Sequence, residues 1–447
     1  MADNTENQLD ILPHQRDETT VGNYFVSNYP PFSQWSMQGV GDALGQLECN
    51  ASAATPMGLY LHIPFCRKRC HFCYFRVYTD KNKEDIRQYL DAMIEEVSLL
   101  AAKPFVSKRR LKFIYFGGGT PSYLSARQLE YLVAGLQQAL PWDDVKEVTF
   151  ECEPGTLNEG KLAAIRSLGV TRLSLGVENF DDHVLRTNNR AHESKEIYRA
   201  YEWAQSVGFP QVNIDLIAGM VGETEENWQK CVDETIKLKP DAVTIYQMEI
   251  PYNTTVFQQM QGNHVDVAPV ADWPTKRRWV SDAFDSLEAS GYTVASAYTA
   301  VRHPENTEFV YRDALWNGAD MFGVGVSSFG YLAGVHYQNQ AHMAPYISAI
   351  EDKSFPIYRA LRTTREEQLI RQFVLKLKLG QIDSGAFMDE FGVNVIDRWR
   401  DVLKTYENEG MIEIKGDQIK LTRSGLLQVD RLLHGFFLPQ HRGIRYT

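Results

Sequence analysis

Short apolar runs alternate with longer amphipathic ones through the middle of this chain. Residues 59–63, 112–116, 147–151, 172–176, 211–216, 242–248 and 292–296 read as strands. Each is brief, rich in β-branched or aromatic residues, and bounded by glycine, proline or polar clusters. Between them the apolar positions fall at helical spacing. Over 83–102, Ile86, Leu90, Met93, Ile94 and Val97 share one face. Over 125–139, Leu129, Leu132, Val133 and Leu136 do the same behind a serine suited to cap the helix. Helices are predicted likewise over 158–168, 194–207, 225–238 and 273–290. The alternation implies parallel strands joined by helical crossovers, an α/β fold with a curled sheet over 58–297. Periodicity leaves open whether that sheet closes. In such folds ligands gather where the strands end.

The flanks read differently. Residues 1–57 form an N-terminal extension. Its first 20 residues are polar and acidic and are expected to be disordered. Residues 21–35 carry many aromatics and the pair Pro30-Pro31, which bars a regular helix or central strand. They are expected to form a strap across the sheet that also covers the mouth of a site. Residues 36–57 read as a loose connection, and 298–361 as a connecting and closing segment. From 362 to 447 the pattern gives helices over 364–377, 383–390 and 395–409, a hairpin turning at Gly416-Asp417, and a last helix over 424–434. That order resembles a winged-helix domain. It carries no dominant basic stripe, so a lid or docking role is expected instead of DNA binding.

Composition narrows the class. The chain has 447 residues, 44% hydrophobic and 23% charged, with net charge −11. This is globular composition, and its acidity argues against nucleic acid or an anionic membrane as partner. No apolar run approaches the roughly 20 residues needed to span a bilayer. Six cysteines in so long a chain fit a reducing compartment, and the cytoplasm is expected.

Three of those cysteines stand together. Leu59–Ile63 runs into Pro64, then Phe65-Cys66-Arg67-Lys68-Arg69-Cys70-His71-Phe72-Cys73, a C-x3-C-x2-C spacing on a loop that leaves a strand. Such thiols could bind metal, pair, or be buried. A reducing compartment disfavours disulfides. A structural zinc site wants four protein ligands, and no second cysteine or histidine pair supplies them, although His62 and His71 are adjacent. Thiolates at short spacing hold iron–sulfur clusters, and three would leave one iron of a 4Fe-4S cubane open.

Glycine-rich and acidic stretches follow the other strands. Gly117-Gly118-Gly119-Thr120-Pro121 follows the second, and allows close approach of backbone to a ligand or simply a tight turn. Glu151 ends the third, Glu178 the fourth with Arg190 beyond it, and Asp215 sits inside the apolar fifth. Each could bind a ligand, cap a helix or form a structural pair; a carboxylate in an apolar run needs a partner.

The cysteine loop resembles the radical S-adenosylmethionine (SAM) signature. The wider pattern from Tyr60 to Cys73, with G-G-G-T-P, is similar to the oxygen-independent coproporphyrinogen III oxidase family. The resemblance implies a partial (β/α)6 barrel and a 4Fe-4S cluster on Cys66, Cys70 and Cys73. It implies that SAM chelates the open iron, that one electron splits it, and that the resulting 5′-deoxyadenosyl radical takes a hydrogen from substrate. It assigns Tyr60, Phe72, Gly118, Gly119, Thr120, Glu151, Glu178, Arg190 and Asp215 to SAM. Met248 and Phe329 match positions that contact cofactor, Met248 with a second SAM as an option. The chain departs from the pattern at Glu178, where the oxidases usually carry Gln, at Glu223, and at Glu249, which stands where they carry His.

The leading expectation is oxidative decarboxylation of a porphyrinogen. The alternatives are a radical SAM methyltransferase or cyclopropanase using two SAM molecules, and a heme-binding chaperone. The first two imply a porphyrinogen or other large conjugated substrate and a reductase or flavodoxin-type electron donor.

Overall fold

The computed structural model describes residues 25–107, 109–251, 254–261, 270–442 and 444. The expected disorder over 1–20 and strap residues 21–24 lie outside this range.

One sheet dominates. Its strands are β1 (Met57–Ile63), β2 (Leu111–Gly118), β3 (Glu147–Cys152), β4 (Arg172–Glu178), β5 (Gln211–Ala218), β6 (Ala242–Gln247), β7 (Thr293–Val294), β8 (Thr299–Val301), β9 (Asp320–Val324), β10 (Phe329–Leu332), β11 (Val335–Asn339) and β12 (Ile357–Arg362). Their order is β12-β11-β10-β9-β1-β2-β3-β4-β5-β6-β8-β7. Strands β1 to β6 pair in parallel, and β9 joins β1 in the same sense. Antiparallel strands extend both ends, and no pairing joins β12 to β7 among the described residues. The sheet is an open partial barrel.

Alternation along each strand sorts the side chains. Leu59, Leu61, Ile63, Ile114, Phe116, Val148, Phe150, Leu173, Leu175, Val212 and Ile214 are buried in one apolar core, which the crossover helices share. The intervening residues form layers inside the curl. Paired register places Tyr60 beside Tyr115, Tyr115 beside Thr149, Thr149 beside Arg172, and Arg172 beside Gln211. Barrel interiors are ordinarily filled by Val, Ile and Leu; this one is polar.

The helices begin where capping chemistry directs. Asn82 accepts from the N–H groups of Glu84 and Asp85 to start Lys83–Ala101. Ser125 and Gln128 form a reciprocal cap on Ala126–Ala139, as do Thr224 and Asn227 on Glu225–Leu238. All three helices lie within one residue of their predicted bounds.

Elsewhere the structure departs from the pattern. The expected loose connection over 36–57 contains a helix, Val40–Leu47, whose Ala43 and Leu47 are buried. The strand expected over 292–296 shrinks to β7. Residues 298–361 do more than connect: they hold β8, β9, β10 and β11 and nearly all of β12.

Residues after 362 surround a second apolar core. Helix Arg365–Leu377 packs on Phe387, Trp399 and Phe436. A three-stranded sheet of Gln381–Asp383, Ile412–Lys415 and Gln418–Leu421 completes the unit. The expected helix over 395–409 breaks at Trp399, and that over 424–434 at Gln428. The N-terminal strap enters this core through Val26 and Tyr29, both buried.

Candidate functional site

The ends of β1 to β6 open into a cavity of about 450 Å³, within the usual range for small-molecule sites. Cys66, Cys70 and Cys73 line it, with Phe72, Gly118, Gly119, Thr120, Glu151, Glu178, Arg190, Asp215 and Met248. Two predicted site residues do not. Tyr60 lies within the curl, its ring stacked 5.8 Å from Tyr115, which does line the cavity. The Tyr60 hydroxyl lies 3.3 Å from His62 Nδ1. Phe329 packs against Phe32 of the strap, ring centres 4.5 Å apart, and Trp35. Its apolar surface serves the strap.

The cysteine loop is pinned at several points. Pro64 ends β1, and the chain turns back through Cys66 N–H to Tyr78 O, 3.0 Å, and Tyr78 N–H to Pro64 O, 2.8 Å. His71 N–H donates to Asn188 O, and Asn189 Nδ2 to Arg69 O. Two sulfurs already receive donors: Thr120 Oγ1 to Cys66 Sγ and Arg190 Nη1 to Cys70 Sγ, each 3.3 Å. Burial pushes the Cys66 thiol up to about 12 and the Cys73 thiol up to about 11. Thiolates there need a compensating positive charge, which bound iron provides.

Among the described residues, no three His, Cys, Asp or Glu side chains converge to hold a single ion. A four-iron cluster instead takes each thiolate on a separate corner. A thiol-only donor set fits that group.

Facing the sulfurs is a wall of carboxyls. Glu151 accepts from Tyr115 Oη at 2.6 Å and Gly118 N at 3.2 Å. Asp215 accepts from Ser174 Oγ at 2.7 Å and Asn213 Nδ2 at 2.8 Å, and Thr244 Oγ1 in turn holds Asn213 Oδ1 at 3.0 Å. Glu178 ends β4 with φ 63°, in the left-handed region that ordinarily favours glycine. Its Oε1 lies 3.4 Å from Arg190 Nη2. Such backbone persists where surroundings enforce it, and it clusters at functional sites.

Burial raises all three carboxyls, Glu151 and Glu178 to about 7. Arg190 is pushed down by burial but pushed up further by Cys70 and Glu178. Its Nε is buried without a hydrogen-bond partner. A ligand carrying ammonium, sulfonium and carboxylate groups together matches this set, and SAM is such a ligand.

The glycine run has a steric cause. Gly118 has φ 110°, and a Cβ there would stand 2.6 Å from the His62 ring; one on Gly119 would stand 2.9 Å from Ile63 O. Met248 lines the cavity with its N–H already donated to Ala218 O.

Other lining residues escaped the sequence reading. Tyr115 and Ser174 share the inward alternation of β2 and β4, a signal that was present. Phe25 belongs to the segment expected to cover the mouth of a site, whereas Trp273 and Arg277 from helix Trp273–Ala289, Tyr298, and Leu427, Gln428, Asp430 and Arg431 from the C-terminal unit arrive by tertiary folding, with no local mark.

Residues 60–235 match the Radical SAM superfamily. The chain carries a radical SAM domain. That family implies a 4Fe-4S cluster and SAM, for which the three thiols and the acidic wall provide.

Similarity extends over most of the chain. A heme chaperone of Bacillus subtilis is 27% identical over 379 residues, 84% of this chain and 98% of its own. An oxygen-independent coproporphyrinogen III oxidase of Pseudomonas aeruginosa is 26% identical over 448 residues, 94% and 95% of the two chains. The solved coproporphyrinogen III oxidase of Escherichia coli superposes with TM-score 0.80 at 24% identity, over 92% of this chain and 96% of its own. It shares the whole fold. Among the described residues, no helix is long and apolar enough to cross a membrane.

Proposed function

We propose that this chain is a radical SAM enzyme carrying out oxidative decarboxylation of the coproporphyrinogen III type. The observation that carries the reading is who lines the cavity. Phe25 of the strap and Asp430 and Arg431 of the C-terminal unit meet the three cysteines around one chamber. A chamber walled by all three parts of the chain suits radical chemistry, which needs a substrate held in place and side reactions suppressed, more than mere transport of a ligand. The likeness to the P. aeruginosa oxidase, which spans the N-terminal region as well, points the same way.

Cys66, Cys70 and Cys73 hold the cluster. Thr120 and Arg190 set the orientation of two of those sulfurs. Glu151, Glu178, Arg190 and Asp215 fix SAM by charge. When bound, the reduced cluster and SAM supply a carbon-centred radical able to remove a hydrogen atom from the substrate. Tyr115, Ser174 and Asn213 keep two of the carboxyls in place. The electron comes from a reductase or flavodoxin-type donor, and the cytoplasm is the compartment.

A second reading is methyl or methylene transfer with two SAM molecules. Glu249, a carboxyl where the oxidases carry histidine, lies in the cavity wall and supports it. The test is anaerobic: cluster, dithionite, SAM and coproporphyrinogen III, with products followed by mass. Loss of two carboxyl groups together with 5′-deoxyadenosine supports decarboxylation. SAM cleavage without decarboxylation, with S-adenosylhomocysteine formed, supports transfer. Heme binding with no SAM cleavage supports the chaperone.

A further inference from the structure

Where β6 ends, Tyr246, Gln247, Met248 and Glu249 meet Trp273 and Arg277 on one side and Leu427 to Arg431 on the other. The two helical segments are tied together by Arg423, which pairs with Asp285 and Glu288.

Among the described residues, the buried polar atoms at this end without a hydrogen-bond partner include Oε1 of Gln247, an acceptor, and Nε of Arg431, a charged donor. A buried polar atom left unsatisfied costs about 1–3 kcal/mol. Gln247 Nε2 donates to Leu427 O at 3.0 Å, which leaves its carbonyl oxygen as the unmet group.

The two acids that line this end have other partners. Asp430 accepts from Val26 N at 2.9 Å and from Tyr298 Oη, and pairs with the fully buried Lys378 Nζ at 3.2 Å. Glu249 accepts from Phe25 N, and burial raises it to about 8, so it is mostly uncharged at neutral pH. Arg431 therefore lines the cavity with no carboxylate partner among the described residues. Aromatic side chains line the same end. Phe25, Tyr246, Trp273 and Tyr298 all line this end, with Tyr246 stacked 6.2 Å from Tyr298.

We propose that this end of the cavity is a substrate subsite for a pyrrole ring bearing a carboxylate arm, with Arg431 binding the carboxylate and Gln247 Oε1 accepting the ring N–H. The ring lies among Tyr246, Tyr298 and Phe25. The subsite rests on the porphyrinogen reading above and adds to it the residues that orient the substrate.

The experiment is equilibrium binding to the full chain with its cluster reconstituted, under anaerobic conditions and followed by the porphyrin Soret band. Three probes are used: coproporphyrin III, its tetramethyl ester, and its zinc complex, whose ring nitrogens carry no hydrogen. The free acid should bind about tenfold or more tighter than the ester, as loss of a charge-assisted bond implies. Arg431→Met, checked for unchanged iron content, should bring the acid to the affinity of the ester. The zinc complex should bind several-fold more weakly than the free base. Equal binding of acid and ester by the unmodified chain, which needs no variant to fold, overturns the subsite and leaves the porphyrinogen reading standing. So does full discrimination in Arg431→Met. A zinc complex bound as tightly as the free base overturns the part assigned to Gln247. Failure of all three probes to bind overturns the subsite and the porphyrinogen reading together.

Discussion

The Glu249 carboxyl at the end of β6 accepts the backbone N–H of Phe25, 224 residues away in sequence. This bond joins the strap to the wall of the cavity. Lys378 Nζ donates to Val26 O at 2.6 Å, and Asp430 Oδ1 takes Val26 N, so three distant segments meet at one edge of the chamber.

Glu249→Ala should release that edge. It leaves a half-buried N–H unanswered, at a cost of up to about 1–3 kcal/mol. Hydrogen exchange at the Phe25 amide should speed by roughly tenfold to a hundredfold, as that cost implies. Glu249→Gln keeps an acceptor and should change exchange little. Unaltered exchange in the alanine variant would show that the strap's other contacts, among them those of Val26 and Tyr29, hold it without Glu249.

Replacement of Cys66, Cys70 or Cys73 by alanine should strip or misplace the cluster. Iron content and visible absorbance after reconstitution should fall, and SAM cleavage should drop to background. Retained 5′-deoxyadenosine production in any of the three would remove that thiol from the ligand set.

Asp215→Ala should weaken SAM binding by about tenfold or more while iron content holds, on the scale of a charge-assisted bond. Ser174→Ala should cost less, about twofold to fivefold, because Asn213 still holds the other oxygen. Calorimetric titration of SAM against the reconstituted protein reads both. Unchanged affinity in Asp215→Ala would return that carboxyl to a purely structural role.

Glu96 gives a pH prediction. It is buried, accepts from Tyr346 Oη, Asn339 Nδ2 and Gly325 N, and burial raises it from 4.5 to about 7. A carboxyl raised on folding holds its proton more tightly in the native state. Its stabilising contribution is complete below about 4.5 and is lost as pH climbs through about 7, on the order of 3 kcal/mol in all. Urea unfolding at pH 5 and pH 7.5 should show that fall. In Glu96→Gln the difference between the two pH values should shrink by a similar amount, whatever the variant's overall stability.

Much of the barrel was legible because its signals are local. Ile86, Leu90, Met93 and Val97 recur at helical spacing and are buried, and Asn82, Ser125 and Thr224 mark helix starts within a few residues of the chain they cap. The cysteine loop was legible for the same reason. The helix Val40–Leu47 was not, because Gly41 and Gly45 lower helix propensity and packing decides the outcome. The packing of Phe329 on Phe32 and Trp35 was not legible either, because an apolar residue after a glycine pair has no local mark of which neighbour it will meet. Asp430 and Arg431 carry no signal of the cavity they line: the contact spans most of the chain, and only the docking of the C-terminal unit creates it.

The interior of the curl has a thermodynamic consequence. Tyr115, Glu151, Glu178 and Asp215 occupy space that other barrels fill with aliphatic side chains, and burial disfavours the charged form of all three carboxyls. Cations that enter relieve that penalty, and anything that binds the native chain alone shifts the unfolding equilibrium toward it. Loading and folding are therefore linked: the chain is least stable when it leaves the ribosome empty and gains stability with each group it takes up. Its abundance in a cell should then follow the supply of iron and SAM as closely as its rate of synthesis.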